Sequence, residues 1–61
     1  MKRKKLIAYL NKQNCHLFRE GGSHSVFVNS NTKKVSTVPR HNEINDYLVV
    51  KICKDLEIPK P

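Results

Sequence analysis

His24-Ser25-Val26-Phe27-Val28-Asn29, then Ser30-Asn31-Thr32-Lys33, then Lys34-Val35-Ser36-Thr37-Val38 read as a strand, a turn and a strand. The first segment is rich in β-branched and aromatic residues, which suit a pleated surface packed on one side. The second holds Ser and Asn, whose side chains close turns by bonding to nearby backbone. In the third, Val35 and Thr37 fall on one face and Ser36 and Val38 on the other, the period of a strand. Pro39 has no N–H to give to a ladder and is expected to end the strand.

Upstream, Gly21-Gly22-Ser23 is a strong turn signal, and Cys15-His16-Leu17-Phe18-Arg19-Glu20 before it is expected to be extended. Earlier still the period changes. Between Lys2 and Gln13, Leu6, Ile7 and Leu10 fall at i, i+1 and i+4, one face of a helix, with Lys4, Lys5, Asn11 and Lys12 mostly elsewhere. Asn14 stands where a helix C-terminus favours a residue that tolerates left-handed backbone. Downstream, Arg40-His41-Asn42-Glu43-Ile44 reads as a loop. A second helix is predicted from Asn45-Asp46, with Asn45 as N-cap and the Asp46 charge favourable in the first turn. Leu48, Val49, Ile52, Cys53 and Leu56 then form an amphipathic stripe, and Pro59 and Pro61 stop the chain. The fold class is α+β in the order α-β-β-β-α. A three-stranded antiparallel sheet carries both helices on one face, because so small a sheet needs a helical layer.

The 61 residues allow one domain, spanning residues 1–61, and exclude cofactor-domain enzymes, transporters and multidomain proteins. A chain this short buries only about 60% of its unfolded surface, so a brace such as a partner protein is expected. Leu, Ile, Val and Phe supply 17 of the 61 residues, above the roughly one-fifth below which chains stay disordered. No apolar run approaches the roughly 18 residues of a membrane span. Met1-Lys2-Arg3-Lys4-Lys5 has the charge of an export signal, but the apolar stretch Leu6 to Leu10 is too short and no cleavage site follows. A cytoplasmic location is expected. Cys15 and Cys53, with no CxxC spacing, read as buried thiols in a reducing compartment.

Twelve Lys and Arg against five Asp and Glu give a net charge of +7. That density points to a polyanionic partner, nucleic acid or an acidic protein; the plainer reading is solubility. Arg19, Lys33, Lys34 and Arg40 are expected to ring the sheet face away from the helices as RNA-binding cations, or else to be solvated charges that blunt a sheet edge. Of the aromatics Tyr9, Phe18, Phe27 and Tyr47, most are expected in the core, so no base-stacking platform is indicated.

His24 stands just beyond the Gly21-Gly22-Ser23 turn. Glycines let backbone approach a phosphate closely, and exposed turn amides bind anions. An imidazole there can move a proton near neutral pH. RNA cleavage needs no metal if a base takes the 2′-hydroxyl proton and cations stabilise the phosphate charge. On these residues alone His24 is either that group or a surface histidine at a strand end. His41, beside Arg40, is a second acid–base partner or a loop residue. His16 is assigned no role. Ser23 and His24 point to opposite sides of a strand, which argues against a Ser–His pair. Glu20, Glu43, Asp46, Asp55 and Glu57 show no spacing that compels a shared site. None of the usual zinc spacings is present, so no metal is expected.

Gly22-Ser23-His24 followed by Phe27, then Val38-Pro39-Arg40-His41 with Glu43-Ile44, then Leu56-Glu57-Ile58-Pro59 together resemble the HicA family of toxin mRNA interferases, from about Leu6 to Pro59. The resemblance implies a double-stranded-RNA-binding-domain-like fold and a ribosome-independent endonuclease acting on mRNA without a cofactor. It implies a HicB-type antitoxin as partner, with DNA binding left to that antitoxin. It maps the catalytic histidine onto His24 and a supporting one onto His41. Two positions depart from the family pattern: a glycine common after the first helix falls in Asn14-Cys15-His16, and one near the last helix's end is Glu57. The rival reading is a non-catalytic small basic RNA-binding module. It would bind single-stranded RNA with salt-sensitive affinity and leave it intact.

Overall fold

The computed structural model describes residues 1–61. The chain runs α1 (Arg3–Lys12), β1 (Cys15–Glu20), β2 (His24–Asn29), β3 (Val35–Pro39) and α2 (Asp46–Asp55), the expected α-β-β-β-α order. The sheet is antiparallel with strand order β1-β2-β3, so β2 is central and both its neighbours are edges.

Alternation sorts the sheet into two faces. Ser25, Phe27 and Asn29 of β2 and Ser36 and Val38 of β3 are buried. They bond to both helices. Arg3 of α1 donates to the Ser25 hydroxyl at 2.9 Å. Asn29 Nδ2 donates to the carbonyl of Leu56 at 2.7 Å, and the Ser36 hydroxyl donates to Asp55 Oδ2 at 3.1 Å. Both helices therefore cover the same face. Leu6, Leu10, Cys15, Phe27, Val38, Ile44, Val49, Ile52, Cys53 and Leu56 form one core. Each large aliphatic side chain in it stabilises the fold by about 1.5–3 kcal/mol through apolar burial. No buried side-chain nitrogen or oxygen lacks a hydrogen bond, so the polar residues of the inner face do not weaken that core. The Cys15 and Cys53 thiols are free and buried, and burial pushes both pKa values up, which keeps them protonated and unreactive.

The helix ends follow their local chemistry. Asn45 caps α2 by accepting the Leu48 N–H at 2.8 Å. At the other end the Glu57 N–H bonds to Lys54 and the Ile58 N–H to Cys53 at 3.0 Å, the double closure that requires left-handed backbone just past the helix. Glu57 supplies it with φ 58, as Asn14 does after α1 with φ 65. Thus both positions that depart from the family pattern are the ones where glycine would be least strained. Asn29 anchors the β2–β3 turn, accepting from the Asn31 and Thr32 amides, and Lys33 takes the left-handed conformation there, with φ 66.

β3 begins at Val35 and ends on Pro39, which is its last residue and pairs with His24. On an edge strand a missing N–H is tolerated, and the Pro39 carbonyl accepts from Arg3 Nε at 2.9 Å. Phe18 and Tyr47 are not core residues but are 63% and 81% exposed. β1 also contains a bulge between Leu17 and Arg19, which leaves Phe18 as an extra residue in the strand. No helix is long and apolar enough to cross a membrane.

Candidate active site

His24 opens β2 and is exposed. Because Ser25 is turned inward, His24 points to the sheet face that no helix covers, together with Val26 and Val28. Residues paired across antiparallel strands share a face. The register therefore adds His16 opposite Val28, Arg19 and Thr37 opposite Val26, and Val35 beside Val28. The open face is thus an apolar strip edged by two histidines and one arginine.

The turn before His24 is held from below. The Gly21 N–H donates to the His24 carbonyl at 2.8 Å, so it closes the hairpin and is not available to an anion. A Cβ on Gly21 would meet that same carbonyl oxygen at 3.0 Å, whereas one on Gly22 would meet nothing. Neither glycine has positive φ. The amides of Gly22 and Ser23 give none of the backbone hydrogen bonds of the turns and loops.

Arg40 does not join the open face. Its guanidinium donates to Glu20 Oε1 at 2.6 Å and to the Gly21 carbonyl at 2.7 Å. Glu20 also accepts from the Ser25 hydroxyl at 2.8 Å, and Ser25 accepts from Arg3. The result is a chain of charge-assisted bonds, Arg3 to Ser25 to Glu20, with Arg40 closing on the same carboxylate. The Ser25 and Arg40 hydrogen bonds hold the Glu20 carboxyl below its ordinary range. This network locks the base of the turn that carries His24. Lys33 and Lys34 lie in the turn after Asn29, five residues along β2 from His24, or roughly 17 Å. Four cations therefore do not ring one site: Arg19 lies near His24, Arg40 is tied to the hairpin, and the two lysines are at the far end. His41 is exposed in the loop after Arg40, two residues beyond the partner of His24.

Nothing in the sequence marks Ser25 or Arg3 as partners of Glu20, whose spacing from the other acids compels no shared site. The sequence also leaves unassigned an open groove of about 520 Å³ lined by Lys2, Arg3, Lys4, Lys5, Ile7 and Asn42. Arg3 bonds to Pro39 and Ser25, so this groove lies at the His24 end of the molecule. Lys2 is paired with Glu43 at 2.8 Å, while no acidic residue stands in the first turn of α1. No three His, Cys, Asp or Glu side chains gather as a metal would require.

The architecture is that of a small basic α+β fold with one sheet face left open and an exposed histidine upon it. A family model described as "HicA toxin of bacterial toxin-antitoxin" matches residues 3–58. The chain therefore belongs to the HicA toxin family. No curated protein and no solved structure matches it. Family membership makes it the toxin of a toxin–antitoxin pair, with a cognate antitoxin as partner.

Proposed function

We propose that this toxin is a ribosome-independent, metal-independent RNA endonuclease that cuts mRNA in the cytoplasm and is restrained by a HicB-type antitoxin. His24 is its acid–base group. The imidazole takes the proton of a ribose 2′-hydroxyl, and the 2′-oxygen forms a bond to the adjacent phosphorus. The bond from phosphorus to the 5′-oxygen breaks, that oxygen takes a proton from solvent, and the imidazolium returns to solvent the proton it took. The products are a 2′,3′-cyclic phosphate and a free 5′-hydroxyl, so atoms and charge balance without a cofactor. The free amides of Gly22 and Ser23 position the phosphate, and His41 supports the site from its loop.

The observation that carries this reading is the placement of His24. It is exposed on the uncovered face of the sheet, at the end of a hairpin whose base is fixed by Glu20, Ser25, Arg3 and Arg40. An accessible imidazole on a rigid turn, in a chain of net charge +7, suits a polyanion that must be held while a proton moves. The basic groove of Lys4 and Lys5 at the same end suits the flanking phosphates. The antitoxin, by binding only the folded toxin, also stabilises it by mass action.

The reading is tested by inducing the wild type and His24→Ala in bacteria that lack the antitoxin. Wild type should arrest growth with loss of full-length mRNA, and the variant should do neither at equal soluble expression. Growth arrest by His24→Ala at the wild-type level would overturn it.

A further inference from the structure

The bulge at Phe18 decides which of two oppositely charged side chains stands beside His24. Cys15, His16 and Leu17 pair in step with Asn29, Val28 and Phe27; then Arg19, not Phe18, pairs with Val26, and Glu20 pairs with Ser25. Arg19 therefore shares the open face with Val26 and His24, and Glu20 shares the inner face with Ser25. Had the strand run on without the extra residue, Phe18 would pair with Val26, Arg19 with Ser25 and Glu20 with His24. A shift of one residue exchanges the faces of a strand, and bulges re-aim side chains in this way. Here the exchange places a guanidinium, in place of a carboxylate, on the side of the imidazole. The same exchange sends Glu20 inward to the network that holds the turn.

His24 lies two residues before Val26, so Arg19 is its cross-strand diagonal neighbour, about 7–8 Å away along the backbone. That gap suits a phosphodiester held between an imidazole and a long side chain. Arg19 is the one Lys or Arg side chain that the register places on the open face. Arg40 is bound to Glu20 and Gly21, and Lys33 and Lys34 are at the far end of β2. Arg19 is exposed, and the ion pairs of the fold use only the N-terminal amine, Lys2, Arg40 and Lys51.

We infer that Arg19 is a catalytic residue of the reaction proposed above. Its guanidinium donates to the non-bridging oxygens of the scissile phosphate and stabilises the negative charge that grows on them as the 2′-oxygen attacks. Guanidinium matches two phosphate oxygens at once, which an ammonium does not. The inference rests on the reading of His24 as the acid–base group.

The test is single-turnover cleavage of a labelled single-stranded RNA in excess EDTA at saturating protein. Wild type, Arg19→Gln, Arg19→Lys and His24→Ala are compared, with affinity measured separately on the 2′-deoxy analogue, which cannot react. Arg19→Gln should lower the saturated rate about 100-fold or more, the loss typical for one donor to a developing oxyanion. Its affinity for the analogue should fall only a few-fold, Arg19→Lys should recover part of the rate, and both variants should melt as wild type does. Wild-type cleavage by Arg19→Gln at saturation, or a loss confined to affinity, would overturn the inference. If wild type cleaves and His24→Ala does not, that failure belongs to Arg19 alone. RNA left intact by wild type would remove the His24 reading and this inference with it.

Discussion

Glu20 and Ser25 face each other across β1 and β2, and the buried Ser25 hydroxyl donates to Glu20 Oε1 at 2.8 Å. Ser25 accepts from Arg3 and Glu20 accepts from Arg40. One hydroxyl and one carboxylate thus join the N-terminal helix, the central hairpin and the segment after β3. Three chain segments far apart in sequence meet directly beneath His24.

This junction makes stability depend on acid. Glu20, Glu43 and Asp55 all have folded pKa values lowered, chiefly by hydrogen bonds from Ser25, Lys2 and Lys51 respectively. A carboxyl with a lowered folded pKa holds fewer protons when folded than when unfolded. Its contribution is complete above the unfolded value, near 4.5 for Glu20, and is lost as pH falls through the folded value. The melting temperature should therefore drop below about pH 4.5. Glu20→Gln should melt lower than wild type at neutral pH and show a shallower acid slope. Parallel melting curves for the two proteins from pH 7 to pH 3 would exclude the Glu20 contribution.

Ser25→Ala leaves the Arg3 guanidinium and Glu20 without their shared partner. The expected loss is about 1–3 kcal/mol, the cost of unmade hydrogen bonds at a buried position. Urea denaturation gives the value directly, and a change within experimental error would mean that Arg3 and Glu20 re-pair without the serine.

The two glycines before His24 should behave differently. A side chain on Gly21 would press on the His24 carbonyl, with Cβ at 3.0 Å, while Gly22 faces open space. Gly21→Ala should destabilise the fold by roughly 1–2 kcal/mol and slow cleavage, since its strain reaches the backbone of His24. Gly22→Ala should leave stability within about 0.5 kcal/mol and raise the RNA concentration needed for half-maximal cleavage. Equal stability losses in both variants would contradict the geometry of the turn.

Glu57 holds left-handed backbone at the end of α2 with φ 58, which costs a side-chain-bearing residue about 1–2 kcal/mol. Glu57→Gly should raise stability by roughly 1 kcal/mol after the entropy of glycine is deducted. Asn14→Gly should gain less, because Asn tolerates the conformation. Chemical denaturation of the two single variants checks the order, and a destabilised Glu57→Gly would show that its side chain has a further role.

Much of the fold was legible because periods of two and 3.6 residues separate strands from helices. The Asn45 cap and left-handed Asn14 were legible from side-chain chemistry. The faces of Arg19 and Glu20 were not. Nothing in Leu17-Phe18-Arg19-Glu20 marks an extra residue, since a bulge without glycine leaves no compositional sign, and a single slip inverts every residue after it. Glu20 looked isolated for the same reason: its partners come from α1, β2 and the loop after β3. The expected topology groups Lys33 and Lys34 with Arg19 on one sheet face, but the length of β2 separates the two lysines from His24. Aromatic character does not decide burial for Phe18 and Tyr47: Phe18 sits at a bulge on an edge strand and Tyr47 on the outer side of α2.

The proposed metal-independent cleavage of RNA by His24 can be read directly. Its most direct test is incubation of purified toxin with a labelled single-stranded RNA in excess EDTA, beside folded His24→Ala, with analysis of the new ends. The account predicts cleavage by wild type only, leaving a 2′,3′-cyclic phosphate. Intact RNA in both samples, or equal cleavage in both, would contradict it.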